Sequence, residues 1–166
     1  MEKPLSHVQK LTFSGLMIAL YVTVLYLTQS FSFGAYQIRI ATSLYALAYL
    51  FPFLVVPLGL ANAIGNIFGG LGILDLVGGF AAGLATTGLE VLIRRANLPL
   101  WLCALPILLV PGLGVPIWLS YLLELPYWPL ALSLVIGQIV PAICGVGLIH
   151  LCKRVWAAPG KERRQA

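Results

Sequence analysis

The chain has 166 residues, of which 60% are hydrophobic and 9% charged, with a mean hydropathy of +0.98 and a formal net charge of +5. Such a composition leaves too little polar surface to coat a soluble globule, so the chain is an integral membrane protein. The positive balance does not point to nucleic acid. Lys3, Lys10, Arg94, Arg95, Lys153, Arg154, Lys161, Arg163 and Arg164 read as loop and terminal charges with the positive-inside bias, and no basic patch is interleaved with aromatics.

The opening "MEKPLSHVQK" runs into a long apolar stretch without a small-residue cleavage site, and so into a first span near 9–29 rather than a removable signal. This span carries Gly15 and Ala19 four residues apart, a small-xxx-small face that lets another helix approach. The loop "SFSFGAYQIRI" follows, with Gln37 and Arg39. The next apolar run, 40–70, is long for one span and contains Pro52 and Pro57, which interrupt a helix. Charge parity requires two passes there, since the amino terminus, Arg94–Arg95 and the basic tail share a side only if an even number of spans separates them.

The expectation is an all-α, compact six-transmembrane-helix bundle over 1–153. Its helices lie near 9–29, 39–51, 54–70, 73–95, 99–121 and 127–153, both termini are cytoplasmic, and 154–166 form a basic cytoplasmic tail. On the outer side lie Gln37, Arg39, Asn66, Asp75, Glu124 and Gln138, polar groups gathered at one end of an apolar bundle. Ionisable groups at membrane depth are costly and mark sites or pathways.

Asp75 has two readings: a cap on the fourth helix, or a ligand contact. Asn62 and Asn66 share a helical face, with Asn62 expected to join helices and Asn66 to meet a ligand. Arg39 is either a lipid-facing cation or a ligand group, and Glu124 a solvated loop charge. Tyr127, Trp128, Trp101 and Trp118 read first as interfacial anchors, some available as a stacking lid. Cys103, Cys144 and Cys152 form no CxxC pair and are expected to be free, buried thiols. Hydrolase, zinc-protease and P-loop motifs are missing, and no nucleophile, base or metal cage can be assembled. The chain is therefore expected to be neither an enzyme nor a metal protein, and an energised transporter of this kind must borrow its ATPase.

In "FGAYQIRIATSL" and "PLGLANAIGNIFGGLGILDLVGGFAAGL" the chain resembles the QueT family, the substrate-binding S components of energy-coupling factor (ECF) transporters associated with queuosine precursors. The matching positions are Phe33, Gly34, Gln37, Arg39, Leu44, Gly59, Asn66, Gly69, Gly70, Leu71, Gly72, Asp75, Val77, Gly78 and Ala81. The resemblance implies a multi-pass protein of a prokaryotic plasma membrane. It would bind a small molecule from outside and dock, through the Gly15–Ala19 face, on a membrane T component carrying two cytoplasmic ATPases that hydrolyse the ATP. No cofactor of its own is implied.

A 7-deazapurine offers two adjacent N–H donors that one carboxylate, Asp75, can accept together. Asn66 or Gln138 would meet the rest of the ring edge, and Phe33, Tyr36, Tyr45 or Trp128 would stack on its face. The chain departs from the family where Thr42 and Gln138 replace glutamates and "LVPGLGVP" replaces an asparagine-bearing segment. These departures point to a neutral ligand. The alternatives are a self-contained small transporter or channel, an S component for a different vitamin, and a membrane scaffold or unrecognised enzyme.

Overall fold

The computed structural model of the protein describes residues 5–33 and 37–157, with side chains to Val155. Tyr36 and the tail beyond Ala157 lie outside the described residues. Every regular element among the described residues is helical. Five helices are long and apolar enough to cross a membrane: α1 (His7–Leu27), α3 (Pro52–Gly69), α4 (Ile73–Arg95), α5 (Leu100–Leu123) and α6 (Tyr127–Val155). Between α1 and α3 lies a shorter apolar helix, α2 (Ile40–Leu50).

Local chemistry sets the ends. Ser6 and Gln9 form a capping box at the start of α1, each side chain bonding the other's backbone N–H. The hydroxyls of Thr42 and Ser43 donate at 2.7 Å to carbonyls three residues back, Arg39 and Ile40, beside the 3-10 turns of Ile40–Ala46. The α2 segment therefore spans about 20 Å, less than the roughly 30 Å of hydrocarbon. Between α3 and α4 the chain reverses through Gly70 (φ 67°) and Gly72 (φ 86°), backbone conformations that side chains resist.

Side-chain contacts give the direction of each segment. Phe13, early in α1, packs on Phe51 and Phe53, with ring centroids 5.0 and 6.1 Å away. Arg94, at the end of α4, donates to the carbonyls of Tyr49 and Leu50 at 3.0 and 2.7 Å. Lys153, late in α6, sits 4.8 Å from the Tyr49 ring. At the opposite end Arg39, Asn66 and Asp75 meet, as described below. The run 40–70 thus doubles back at Phe51–Pro52: α2 descends toward Arg94 and α3 returns from it.

The surface is apolar and the interior carries the polar groups. Val8, Leu11, Leu27, Ile73, Ile117 and Val155 are exposed, a continuous apolar coat that only lipid satisfies. Ser32, Arg39, Asn62, Asn66, Asp75, Thr86, Thr87, Glu90 and Gln138 are buried. Helices α3 and α4 pack at backbone contact: a Cβ on Gly83 would stand 2.8 Å from Gly59 Cα. Of the three cysteines expected to be buried, Cys103 is, Cys152 is half-buried and Cys144 faces outward. The lipid side of a membrane helix is as apolar as its core, so a thiol is tolerated on either.

Candidate functional site

The asparagines of α3 build the frame of the polar cluster. Asn62 Nδ2 donates to the Gly79 carbonyl at 2.7 Å and Asn66 Nδ2 to the Asp75 carbonyl at 2.9 Å, so two side chains one turn apart fasten α3 to the backbone of α4. Gly79 is required there, because a Cβ would collide with Asn66 Nδ2. The oxygens of both amides turn toward α2. Arg39 Nη1 donates to Asn66 Oδ1 at 2.8 Å and to Asn62 Oδ1 at 3.3 Å, and its Nε reaches the Ser32 carbonyl at 3.4 Å. The guanidinium also lies 4.9 Å from the Phe33 ring centroid. Arg39 is 6% exposed, so it is a buried cation held by neutral groups and not a lipid-facing charge.

Tyr21 and Tyr45 stack with centroids 5.6 Å apart and planes 11° from parallel. Tyr21 donates to Asn62 Oδ1 at 3.0 Å, which leaves Tyr45 to donate to Tyr21 across 3.1 Å. On the other side of α2, Thr42 Oγ1 lies 2.9 Å from Gln138 Oε1 of α6 and 2.7 Å from its own Arg39 carbonyl, two acceptors sharing one hydroxyl proton.

These groups enclose a small cavity of about 10 Å³, lined by Gln37, Arg39, Thr42, Tyr45, Asn62 and Gln138 on its polar side and by Ala82, Pro111, Val115 and Leu134 on its apolar side. That is room for about one water. The lining includes a guanidinium and no carboxylate. Gln37 is held at φ 43°, a left-handed backbone conformation at the entry to α2.

Asp75 adjoins this cavity without lining it. The residue capping α4 is Gly72, and Asp75, in the first turn, makes no side-chain cap bond. Its Oδ1 accepts from Trp118 Nε1 at 3.0 Å and its Oδ2 is buried without a hydrogen-bond partner among the described residues. The structure therefore removes the capping bond and supplies a different partner, an indole from α5.

Of the residues singled out from the sequence, Gln37, Arg39, Tyr45, Asn66, Asp75 and Gln138 come together, with Phe33 behind Arg39. Asn66 makes one bond from each end of its amide within the protein and positions Arg39. Trp128 does not join them: it is 76% exposed, edge-on to Tyr127 at 5.2 Å, the position of an interfacial anchor. Glu124 is likewise exposed, on a left-handed turn after α5. Gly15 and Ala19 stay on the exposed face of α1, and a Cβ on Gly15 would meet nothing within 4 Å.

Sequence reasoning missed Tyr21, the partner role of Trp118, and Glu90. A tyrosine hydroxyl in the middle of an apolar span is a usable signal, because it must find a partner. Glu90, in α4 toward the Arg94 end, is fully buried with both carboxylate oxygens lacking hydrogen-bond partners among the described residues. Among the described residues no group of three or more metal-binding side chains occurs.

No curated protein and no solved structure matches the chain. The family model of QueT transporters matches residues 11–154, nearly all of the segment that builds the helices and the cluster. With its polar interior, apolar coat and helices of membrane-crossing length, this multi-pass membrane protein belongs to the QueT transporter family, a family of transporters and not of enzymes.

Proposed function

We propose that the chain is the substrate-binding S component of an ECF-type importer and that it captures a 7-deazapurine, a queuosine precursor, or a closely related small metabolite at the Arg39–Asn62–Gln138 cavity. The observation that carries this reading is the closed polar cavity itself: a buried guanidinium, three amides and two hydroxyls converge inside an apolar bundle of a transporter family. Arg39 and Gln138 suit the carbonyl and ring nitrogens of a purine-like base, Asp75 suits its adjacent N–H donors, and the stacked pair Tyr21–Tyr45 supplies a flat wall.

In this reading the six helical segments cross the cell membrane with both termini cytoplasmic. Support comes from the clustering of Lys10, Arg94, Arg95, Lys153 and Arg154 toward the end opposite the cavity. ATP is hydrolysed by two partner ATPases beneath a membrane T component, which meets α1 at Gly15 and Ala19.

The test is calorimetric titration of 7-cyano-7-deazaguanine into purified protein and its Asp75→Asn variant. The amide keeps the size of the side chain and an acceptor for Trp118 but sets a donor against the ligand's donors, a loss of about 1–3 kcal/mol or more. Nanomolar to micromolar binding by the parent chain and at least a tenfold loss in the variant are expected. Equal affinities would remove Asp75 from the site, and no binding of any deazapurine would remove the ligand class.

A further inference from the structure

A bicyclic base does not fit a cavity of about 10 Å³; one wall must move. Three walls are cross-tied. Asn62 and Ala82 belong to α3 and α4, which the asparagine amides and the Gly59–Gly83 contact hold together. Arg39, Thr42 and Tyr45 of α2 are bonded to α3, to α1 through Tyr21 and to α6 through Gln138. The fourth wall is Pro111 and Val115 of α5, held to α6 where the Tyr127 hydroxyl donates to the Leu113 carbonyl at 2.9 Å. There the helix loses its regular register: Val110–Gly114 is a π turn, with Pro111 lacking a donor and Gly112 and Gly114 beside it.

Beyond that turn the same face of α5 carries Trp118, seven residues from Pro111 and three from Val115. Its indole lies on Gly78 of α4, where a Cβ would stand 2.5 Å from Cε2, and its Nε1 bonds Asp75 Oδ1 at 3.0 Å.

We propose that Trp118 is the latch of the ligand site: while its indole N–H holds Asp75 the α5 wall is shut, and a ligand bearing two adjacent N–H donors opens the wall by taking the carboxylate in its place. The exchange replaces one N–H to carboxylate bond with another, and the second donor gains the unpartnered Oδ2, so opening is driven by the ligand's own donor pair. A base with only acceptors on that edge would leave the latch closed. Trp118 is thus a positioning residue that selects ligands through Asp75, and the inference rests on the preceding assignment of the cavity as the ligand site.

The deciding measurement needs no ligand. Val115→Cys is made in a chain with Cys144→Ala and Cys152→Ala and with buried Cys103 retained. The detergent-solubilised protein is treated with a water-soluble cationic methanethiosulfonate, and labelling at both positions is followed by peptide mass spectrometry. Adding Trp118→Phe, which deletes the indole N–H, or Gly78→Ala, which pushes the ring aside while keeping Trp118 and Asp75, is expected to speed labelling at position 115 at least tenfold and to leave Cys103 unlabelled. An unchanged rate at position 115 in either folded variant, or an equal rise at Cys103, overturns the latch.

A second measurement uses a chain whose Trp101, Trp128 and Trp156 are replaced by Phe. Addition of 7-cyano-7-deazaguanine should shift Trp118 emission to the red in step with calorimetric binding. Binding without that shift overturns the exchange at Asp75, whereas an absence of binding counts against the ligand class alone and leaves the labelling result decisive.

Discussion

Arg39 Nη1 lies 2.8 Å from Asn66 Oδ1, and the nitrogen of the same amide lies 2.9 Å from the Asp75 carbonyl. One side chain therefore sets both the cation that lines the cavity and the first turn of the helix that carries the acid. Each end of Asn66 makes one bond within the protein. In the proposed site its contribution to recognition runs through the position of Arg39.

Replacing Asn66 with Ala leaves a carbonyl in the first turn of α4 without its side-chain donor and Arg39 with a single, longer amide contact to Asn62 at 3.3 Å. A loss of about 1–3 kcal/mol in stability is expected, read as a lower melting temperature in detergent, together with weaker ligand binding. Asn66→Asp, which restores an acceptor for Arg39 but not the donor to Asp75, should recover part of the binding and little of the stability. Full recovery of both would show that the amide nitrogen is dispensable.

Gly15→Leu and Ala19→Leu test the face of α1. A Cβ on Gly15 has nothing within 4 Å, so the larger side chains fit the chain by itself, and the expected result is unchanged ligand affinity with uptake reduced to background. Paired binding and vesicle uptake assays check this. Uptake equal to that of the parent chain would take this face out of the contact with the transport partner.

The charge of the ligand follows from the lining. Arg39 borders the cavity, no carboxylate does, and Glu124 stands exposed away from it. With Asp75 taken by the ring N–H donors in the proposed site, an ammonium there meets a like charge and no free counter-ion, a heavy penalty at membrane depth. In competition binding, the nitrile-bearing deazapurine should outcompete the aminomethyl base by at least tenfold. Tighter binding of the amine, lost on Glu124→Gln, would reverse the assignment.

Glu90 gives a separate check on the interior. Both of its oxygens lack a geometric hydrogen-bond partner among the described residues and the Cys103 thiol is their polar neighbour, so the isosteric Glu90→Gln keeps an acceptor for that thiol and avoids a buried charge. The melting temperature is expected to hold or rise. A buried carboxylate engaged with a cation would instead lose about 3–5 kcal/mol on such a change, and a fall of that size would reveal a counter-charge.

What the sequence determined by itself is the solvent and the polar inventory. Runs of about 20 apolar residues can only be membrane helices, Pro52 and charge parity pointed to a reversal within the run 40–70, and Asn66, Asp75, Gln138 and Arg39 stood out because polar groups are scarce in such a chain. Which way each helix faces was left to the tertiary structure. In a soluble helix the apolar stripe gives the rotation, but lipid is as apolar as the core, so the stripe disappears and either face of α5 or α6 reads alike. For that reason Trp128 was expected to stack on a ligand and Trp118 to be an anchor, although the first faces outward and the second bonds Asp75. The same ambiguity hid the Tyr21–Tyr45 stack and the burial of Glu90, and it made Cys144 look like a core thiol. These placements depend on close approach at Gly78, Gly79 and Gly83 and on the amide bridges of Asn62 and Asn66, contacts between segments that exist only once the helices have packed.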